Sequence, residues 1–174
     1  MNRPPRPSRG FTLIELIAVM LVMSILGATA ISALGSFDRA REAAAARALW
    51  RDIEYARERS LATGRRHWVV FNLAANSYSL LEEPSGAPSR GLAAPLTDVA
   101  AQGPLVRRLG IEEAAGVSVS SADFGGTSEV GFDWLGRPLS GAASPLVSDG
   151  SATLSAGSVV TVSAGNGMVS LDTP

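Results

Sequence analysis

The sequence contains no cysteine, no lysine and a single histidine among its 174 residues. Without cysteine there is no disulfide framework, no thiol catalysis and no cysteine-based zinc site. The lone histidine, His67, leaves little basis for multi-histidine metal sites or for histidine-dependent catalysis. Fifteen arginines face 16 acidic residues, and the net charge of −1 gives no global reason to expect a nucleic-acid partner. These absences argue against an enzyme.

Charge is also missing from one long stretch near the N-terminus. Residues 1–10 carry three arginines and no acid, and 22 consecutive uncharged residues follow at positions 16–37. As a helix, residues 11–34 would be about 36 Å long, which is enough for a hydrocarbon core of about 30 Å. The next arginine after the leader is Arg39, so the positive-inside bias predicts a cytoplasmic N-terminus and an exported remainder. We therefore expect one membrane pass over residues 11–36.

Two simpler interpretations of this stretch compete with an assembly role. A cleaved secretory signal would use Ala28-Thr29-Ala30 as its cleavage site, but the apolar run exceeds the usual length of about 7–15 residues and continues past that site. A plain membrane anchor leaves Glu15 unexplained, because a carboxylate at mid-membrane costs about 2.5–3.5 kcal/mol on insertion scales.

Glu15 lies in a short motif, RGFTLIEL at residues 9–16, directly before the apolar run. The motif resembles the processing site of type IV pilins and type II secretion pseudopilins. The resemblance implies that residues 1–10 are a leader, that a prepilin peptidase cuts the Gly10–Phe11 bond and methylates the new amine of Phe11, and that Glu15 guides assembly. Gly10 has no side chain, so an extended backbone there can enter a peptidase cleft closely.

Removal of the leader would leave an apolar helix tip that carries one amine. In lipid that amine needs a counter-charge, and the Glu15 carboxylate of an adjacent subunit is the obvious candidate. The competing interpretation is that Glu15 extends its carboxylate to the membrane interface without a partner.

The helix is predicted to continue beyond the apolar stretch. Residues 38–63 are dense in Ala, Arg, Glu and Leu, which are strong helix formers, and Gly64 offers the left-handed residue that closes a helix. Small or apolar residues recur at three-to-four spacing: Ala46, Leu49, Trp50, Ile53, Ala56, Ser60 and Leu61. We expect an amphipathic half-helix at residues 37–64 that supports a separate domain.

After Gly64 the pattern changes to the period of two that is typical of strands. Residues 68–73 and 77–81 predict a hairpin with Asn76 at its turn. Further strands are predicted at 105–109, 117–120, 129–134, 152–155, 159–163 and 168–171. Residues 65–174 therefore predict a β-rich domain laid on the amphipathic half-helix, with a mobile loop at about 84–103, where prolines and glycines accumulate.

Later segments resemble the H-type minor pseudopilins of type II secretion and their pilus relatives, the GspH/FimT group. They are residues 50–65, the hairpin that contains Tyr78, and GFDWLGRP at 131–138. The resemblance implies an α+β, type IV pilin-like fold: a long N-terminal helix, with a transmembrane half and an amphipathic half, packed on a C-terminal antiparallel β-sheet domain. It also implies a structural protein with no cofactor and no enzymatic activity.

The function that the resemblance implies is that of a minor pseudopilin in the type II secretion system. Such a subunit is a structural component of the periplasmic pseudopilus, which helps to move folded proteins across the outer membrane. The expected location is the bacterial inner membrane, with the C-terminal domain in the periplasm. The expected partners are the prepilin peptidase, the inner membrane, other pseudopilins or pilins through the N-terminal helix, and secreted substrates. Glu15 implies a place below the tip, since tip-most pseudopilins typically lack this acid.

The alternative is a minor type IV pilin involved in pilus assembly or DNA uptake. Residues 111–174 contain one arginine, Arg137, against seven acidic residues, so this part should repel a DNA duplex. A basic patch would form only if folding brought four arginines together: Arg65, Arg66, Arg107 and Arg108.

Catalytic and metal-binding motifs are missing as well. The sequence has no G-x-S-x-G, P-loop, H-E-x-x-H or calcium-loop pattern. We expect His67 to be a surface or half-buried residue at a strand start, and Glu112, Glu113 and Asp123 to be solvated loop charges. No metal site is predicted.

Overall fold

The computed structural model describes residues 12–86, 89–98, 102–111 and 114–174, and for residues 28–36 the backbone alone. It divides into two compact units, residues 1–38 and 39–174, which share one long helix, α1 (Leu13–Thr63). In the described part of the second unit α1 is followed by twelve strands and the 3-10 helix Arg90–Leu92. The strands are β1 (His67–Asn72), β2 (Ser77–Glu82), β3 (Ala94–Pro95), β4 (Thr97–Asp98), β5 (Gly103–Pro104), β6 (Val106–Arg108), β7 (Val119–Asp123), β8 (Glu129–Phe132), β9 (Pro138–Ser140), β10 (Gly150–Leu154), β11 (Val159–Val162) and β12 (Val169–Asp172).

The second half of α1 is amphipathic, as its sequence predicts. Five members of the predicted stripe are fully buried: Ala46, Leu49, Ile53, Ala56 and Ser60. Trp50 is partly buried, whereas Leu61 is 49% exposed and lies outside the buried stripe. The helix ends at Thr63. The next residue, Gly64, has a φ of +67°, which favours glycine, and its amide donates to the Ser60 carbonyl.

Two antiparallel sheets make up most of the β-rich part. The first has the order β3-β2-β1-β8-β9, with β6 also paired to β2, and the second has the order β12-β11-β10-β7. Strands β4 and β5 form a separate small pair. The buried face of the helix and apolar side chains of both sheets form one core, to which each fully buried large side chain contributes about 1.5–3 kcal/mol. The predicted packing of the β-rich domain on the amphipathic half-helix is confirmed.

The predicted hairpin is confirmed, with Asn76 in the left-handed region at φ +46°. The Asn76 side chain also joins the two sheets, because its amide donates to the Val117 carbonyl and its carbonyl accepts from the Val119 amide. Strand β9 and the short elements within residues 84–103 are not among the sequence predictions. Each of these strands is only two or three residues long, too short to show a period of two.

In the apolar first part of α1, the Ser24 hydroxyl donates to the Met20 carbonyl at 2.7 Å, which satisfies this polar group within an apolar segment. In the described part of the chain, no helix combines the length and the apolar character that a membrane crossing requires.

Candidate processing and assembly site

The predicted processing bond, Gly10–Phe11, lies outside the described residues, which begin at Thr12. The structure therefore places only the helix start that follows the bond. There the Thr12 carbonyl accepts from the Leu16 amide at 3.2 Å, and the Thr12 hydroxyl accepts from the Glu15 amide at 3.4 Å. Thr12 is thus the N-cap of α1.

Glu15 lies in the first turn of α1, and its side chain is exposed. A carboxylate at this position is favoured by the positive end of the helix dipole. Thr12 and Glu15 have the T-x-x-E spacing of a capping box, a signal that the sequence interpretation did not use. The same acid is therefore available for two roles, stabilising the helix start and pairing with a charge on another chain.

The residues on both sides of Glu15, from 13 to 26, expose apolar side chains in every direction around the helix. Eleven large hydrophobic side chains in this segment are at least half exposed: Leu13, Ile14, Leu16, Ile17, Val19, Met20, Leu21, Val22, Met23, Ile25 and Leu26. A helix that is apolar all round is stable only when lipid or other chains surround it. This surface therefore requires a partner or a membrane.

The helix half that carries the β-rich part is joined to the second sheet by polar contacts. The Glu42 carboxylate is 3% exposed and accepts from the backbone amides of Ala156 and Ser158. Further along α1, the Trp50 indole donates to the Val169 carbonyl at 3.0 Å, and the Glu54 carboxylate accepts from the Val169 amide at 3.2 Å. These contacts join residues more than 110 positions apart in the chain, and no local sequence pattern could have indicated them.

The four arginines that might have formed a basic patch do not gather. Arg65 pairs with Glu82 at one end of β2, and Arg108 lies opposite Ser77 at the other end, about 17 Å away along the strand. Arg107 lies 3.4 Å from Asp52 and 3.5 Å from Asp98.

Among the predicted loop charges, Asp123 is exposed and accepts from the Gly126 amide in a local turn, as expected. Glu112 and Glu113 lie outside the described residues.

Arg137 is paired with the buried Asp133 at 2.7 Å. Burial by itself would raise the pKa of Asp133, but hydrogen bonds from Arg137 and the Leu135 amide outweigh it and hold the pKa below its usual value.

His67 is fully buried, which corrects the expectation of a surface or half-buried residue. Its Nδ1 lies 3.2 Å from the Arg65 carbonyl and 3.3 Å from the Ser60 hydroxyl, and its Nε2 lies 3.6 Å from a Glu82 carboxylate oxygen. Burial lowers the pKa of His67 and keeps the imidazole neutral at pH 7. Both His67 and Ser60 are inaccessible to solvent. Their contact therefore joins the end of α1 to the first sheet and does not offer a surface to a substrate. Among the described residues, no group of three or more acidic or histidine side chains is placed to hold a metal ion.

Two comparisons with known proteins bear on this site. Residues 5–31 match the prokaryotic N-terminal methylation motif, which includes the predicted processing bond, Thr12 and Glu15. The fold is similar to that of the minor pseudopilin EpsH from the type 2 secretion system of Vibrio cholerae, with a TM-score of 0.55 at 10% identity, over 77% of this chain and 96% of that one. The N-terminal motif is that of type IV pilins. Its long helix and antiparallel sheets are the pilin-like fold.

The type IV minor pilin FimU of Pseudomonas aeruginosa is also similar to this pilin-like chain. The match has a TM-score of 0.47 at 16% identity and covers 74% of this chain and 90% of that one. No curated protein sequence matches this pilin-like chain.

Proposed function

We propose that this pilin-like chain is a minor pseudopilin of a type II secretion system. It acts as a structural subunit of the periplasmic pseudopilus, and it is held in the inner membrane by the first part of α1 before assembly. The N-terminus faces the cytoplasm and the β-rich domain lies in the periplasm. Its role in moving folded proteins across the outer membrane is that of a packed subunit, not of a catalyst.

The observation that carries the proposal is the methylation motif at the start of a helix whose apolar side chains are exposed on all sides. A subunit of this design is stable in a bilayer and can also be packed among similar helices, since both surroundings cover the same surface. The likeness to the fold of a minor pseudopilin supports the secretion assignment.

Processing is proposed at the Gly10–Phe11 bond, by a prepilin peptidase that also methylates the amine of Phe11. Cleavage there removes the three arginines of residues 1–10 and leaves Thr12 one residue from the new N-terminus. The N-cap then stays in the mature protein, so the first turn of α1 remains hydrogen-bonded after cleavage.

Assembly is proposed to depend on the Glu15 carboxylate, paired with the N-terminal amine of a neighbouring subunit. The exposed position of Glu15 leaves its carboxylate accessible to another chain. In an apolar surrounding the pair offsets the burial cost of both charges, whereas either charge alone would be strongly unfavourable.

A DNA-binding role is disfavoured by the surface charge. Arg65 and Arg107 are paired with carboxylates, and the sole arginine after residue 111, Arg137, is paired with Asp133. Phosphate contacts would have to displace these partners, which opposes non-specific binding to a duplex.

The test replaces the chromosomal copy in the native host with variants that separate the two roles of Glu15. Glu15→Val removes the charge, Glu15→Gln removes the charge but keeps a capping-box side chain, and Thr12→Ala removes the cap but keeps the charge. We expect both Glu15 variants to be processed normally but lost from sheared or cross-linked filaments, and secretion of exported proteins to fall about tenfold or more. Thr12→Ala should assemble nearly as the unaltered protein does.

A different pattern would contradict the proposal. If Glu15→Gln assembles normally and Thr12→Ala does not, the acid serves the helix cap and not a charge pair. If deletion of the chain leaves secretion intact but abolishes surface pili or DNA uptake, the subunit belongs to a pilus system.

A further inference from the structure

The turn between β8 and β9 presents two large apolar side chains to solvent. Trp134 is 50% exposed and Leu135 is 59% exposed, although the strands on either side of the turn are buried. The turn belongs to the GFDWLGRP segment at residues 131–138, to which the proposed function assigns no role. Exposed aromatic and apolar side chains at a fixed turn are typical of residues that contact a partner.

Asp133 holds this turn in one conformation. Its buried carboxylate accepts from the amides of Leu135 and Arg137, both at 2.9 Å, and from the Arg137 side chain at 2.7 Å. Gly136, at φ +72°, donates its amide to the Asp133 carbonyl at 2.8 Å. The backbone that carries the two apolar side chains is thus ordered before any partner binds, which lowers the entropic cost of binding.

The end of α1 and the turn between β11 and β12 extend this apolar surface. A Cβ on Gly136 would lie 3.3 Å from the Leu61 side chain, and a Cβ on Gly167 would overlap the Gly136 carbonyl oxygen, so the three elements are in contact. Leu61 and Met168, the residue after Gly167, are each about half exposed. We define the apolar patch as these four side chains: Leu61, Trp134, Leu135 and Met168.

The size of the apolar patch limits the kind of contact that it can make. Its exposed area is on the order of 400 Å², which is within the range of the largest apolar patches on monomeric proteins. Two copies joined through the patch would bury about 800 Å² in total, less than the roughly 1,200 Å² of a stable complex. Such a contact is weak by itself and forms where the partners are already held close together.

The charges beside the apolar patch indicate which partner it fits. Glu58, about one helical turn before Leu61, is exposed and forms no ion pair with any residue that the structure describes. On the side of the turn, the Arg137 side chain is more than half exposed, although it is paired with Asp133. In a two-fold contact the helix side of one copy faces the turn side of the other, which brings this acid to this base twice.

We propose that the apolar patch is a two-fold contact between two copies of this chain. Trp134 and Leu135 of each copy pack on the apolar side chains of α1 and of the β11–β12 turn of the other copy, and the charges of Glu58 and Arg137 set the orientation. An anionic bilayer surface is disfavoured as the occupant, because it would repel Glu58. The inference rests on the proposed function in one respect, since the first part of α1 brings the copies together in one membrane.

Site-directed cross-linking tests this contact directly, because the chain contains no native cysteine. Met168→Cys places a thiol in the apolar patch, and Val147→Cys places one at an almost fully exposed residue outside it. The full chain of each variant is reconstituted in phosphatidylcholine vesicles and treated with a short bismaleimide. We expect at least about fivefold more cross-linked dimer from Met168→Cys than from Val147→Cys, because the contact brings the two patch thiols together.

Second substitutions in the Met168→Cys chain test the apolar and the charged parts separately. Leu135→Asp places a charge within the patch, and Val147→Asp places the same charge outside it; both positions are exposed, so neither change disturbs the core. Glu58→Arg turns an attraction for Arg137 into a repulsion, and Arg47→Glu is a charge reversal elsewhere on the exposed face of α1. We expect Leu135→Asp and Glu58→Arg each to lower the dimer yield about fivefold, and both controls to leave it unchanged.

Three results would overturn the inference. Equal yields from Met168→Cys and Val147→Cys would show that the copies do not meet at the patch. An unchanged yield with Leu135→Asp would show that its apolar side chains form no contact, and an unchanged yield with Glu58→Arg would exclude the two-fold arrangement. Cross-linking of Met168→Cys in native membranes to an unlike protein, and not to a second copy, would assign the patch to a different partner.

Vesicle flotation separates this inference from the proposed function. A chain that does not float with the vesicles contradicts both the membrane anchor and the contact that depends on it. A chain that floats but gives no cross-links at position 168 contradicts the two-fold contact alone, and the role of Glu15 in assembly is unaffected.

Discussion

At the residue scale, Gly131 illustrates how a missing side chain shapes the sheet. A Cβ at this position would overlap the ring of Trp68, which is fully buried on the neighbouring strand. The Trp68 indole is fixed by its hydrogen bond to Glu83 at 2.9 Å, and Arg90 lies over its ring. The ring therefore cannot move without breaking these contacts.

We expect Gly131→Ala to lower the free energy of unfolding by about 1–3 kcal/mol, the range for overpacking a close-packed site. Urea unfolding followed by tryptophan fluorescence measures this change. Gly165→Ala is the matched control, because nothing lies within 4 Å of a Cβ there. Equal stabilities of the two variants would show that Trp68 can shift at little cost.

Gly10 is the residue on which the proposed maturation depends. A β-branched side chain beside the scissile bond should prevent the extended backbone from entering a peptidase cleft. We expect Gly10→Val to accumulate as the uncut precursor in the membrane fraction, measured by the intact mass and the N-terminal sequence. Ser8→Val, which introduces the same side chain two residues earlier, should be cut normally. Normal cleavage of Gly10→Val would refute the assigned processing bond.

At the element scale, His67 connects the end of α1 to the first sheet. It lies between Ser60 of the helix and Glu82 of β2, and the charged groups that act on it also include Arg59 and Arg65. Because its pKa is lower in the folded protein than the ordinary value of about 6.5, the unfolded chain binds the proton more readily. Its contribution to stability is present above about pH 6.5 and is lost as the pH falls towards the lowered value.

The free energy of unfolding should therefore decrease between about pH 7 and pH 5, and His67→Gln should remove most of that slope. Asp133→Asn is the control in a different pH range. The pKa of Asp133 is lowered, so its stabilising contribution persists above about pH 4 and is lost at lower pH. A His67→Gln variant with the original slope between pH 5 and 7 would contradict the assigned role of the buried imidazole.

At the scale of the whole molecule, the helix is part of the core of the β-rich domain. Ala45, Ala46, Leu49, Ile53 and Ala56 are all buried against strands of the two sheets. Polar contacts from Glu42, Trp50 and Glu54 satisfy backbone groups of the second sheet. A sheet domain without this helix would expose both its apolar face and unpaired backbone groups.

We expect a fragment of residues 37–174 to be soluble and monomeric, and a fragment of residues 64–174 to aggregate or to bind a hydrophobic dye. Size-exclusion chromatography and dye fluorescence distinguish the two. The longer fragment omits most of the apolar segment but keeps every helix residue of the buried core. Equal solubility of the fragments would mean that the sheets form a stable core alone.

Much of the architecture followed from local patterns. The three-to-four spacing of Ala46, Leu49, Ile53 and Ala56 predicted the buried helix face, and Gly64 predicted its end. Alternation and Asn76 predicted the first hairpin. The N-terminal motif indicated the superfamily, while the processing bond at Gly10 and the pairing of Glu15 stay predictions.

Other features depend on contacts between residues that are far apart in the sequence. The burial of His67 follows from the Glu82 carboxylate opposite it and the helix end beside it, and neither is visible in its own neighbourhood of the sequence. Leu61 has the spacing of the buried face but is 49% exposed, although Ser60, the residue before it, is fully buried. Strands as short as β9 have too few residues to show an alternation of apolar and polar side chains. They are recognised as strands by their pairing, as β9 is by its pairing with β8.

The sequence by itself determined the helix, its apolar and amphipathic halves, and the motif at its start, because these depend on side-chain periodicity and on adjacent residues. Only the tertiary structure decided which strands pair, which arginines are paired with carboxylates and which polar side chains hold the sheets to the helix. Those outcomes depend on strand register and chain topology, which set the distances between side chains that the sequence places far apart.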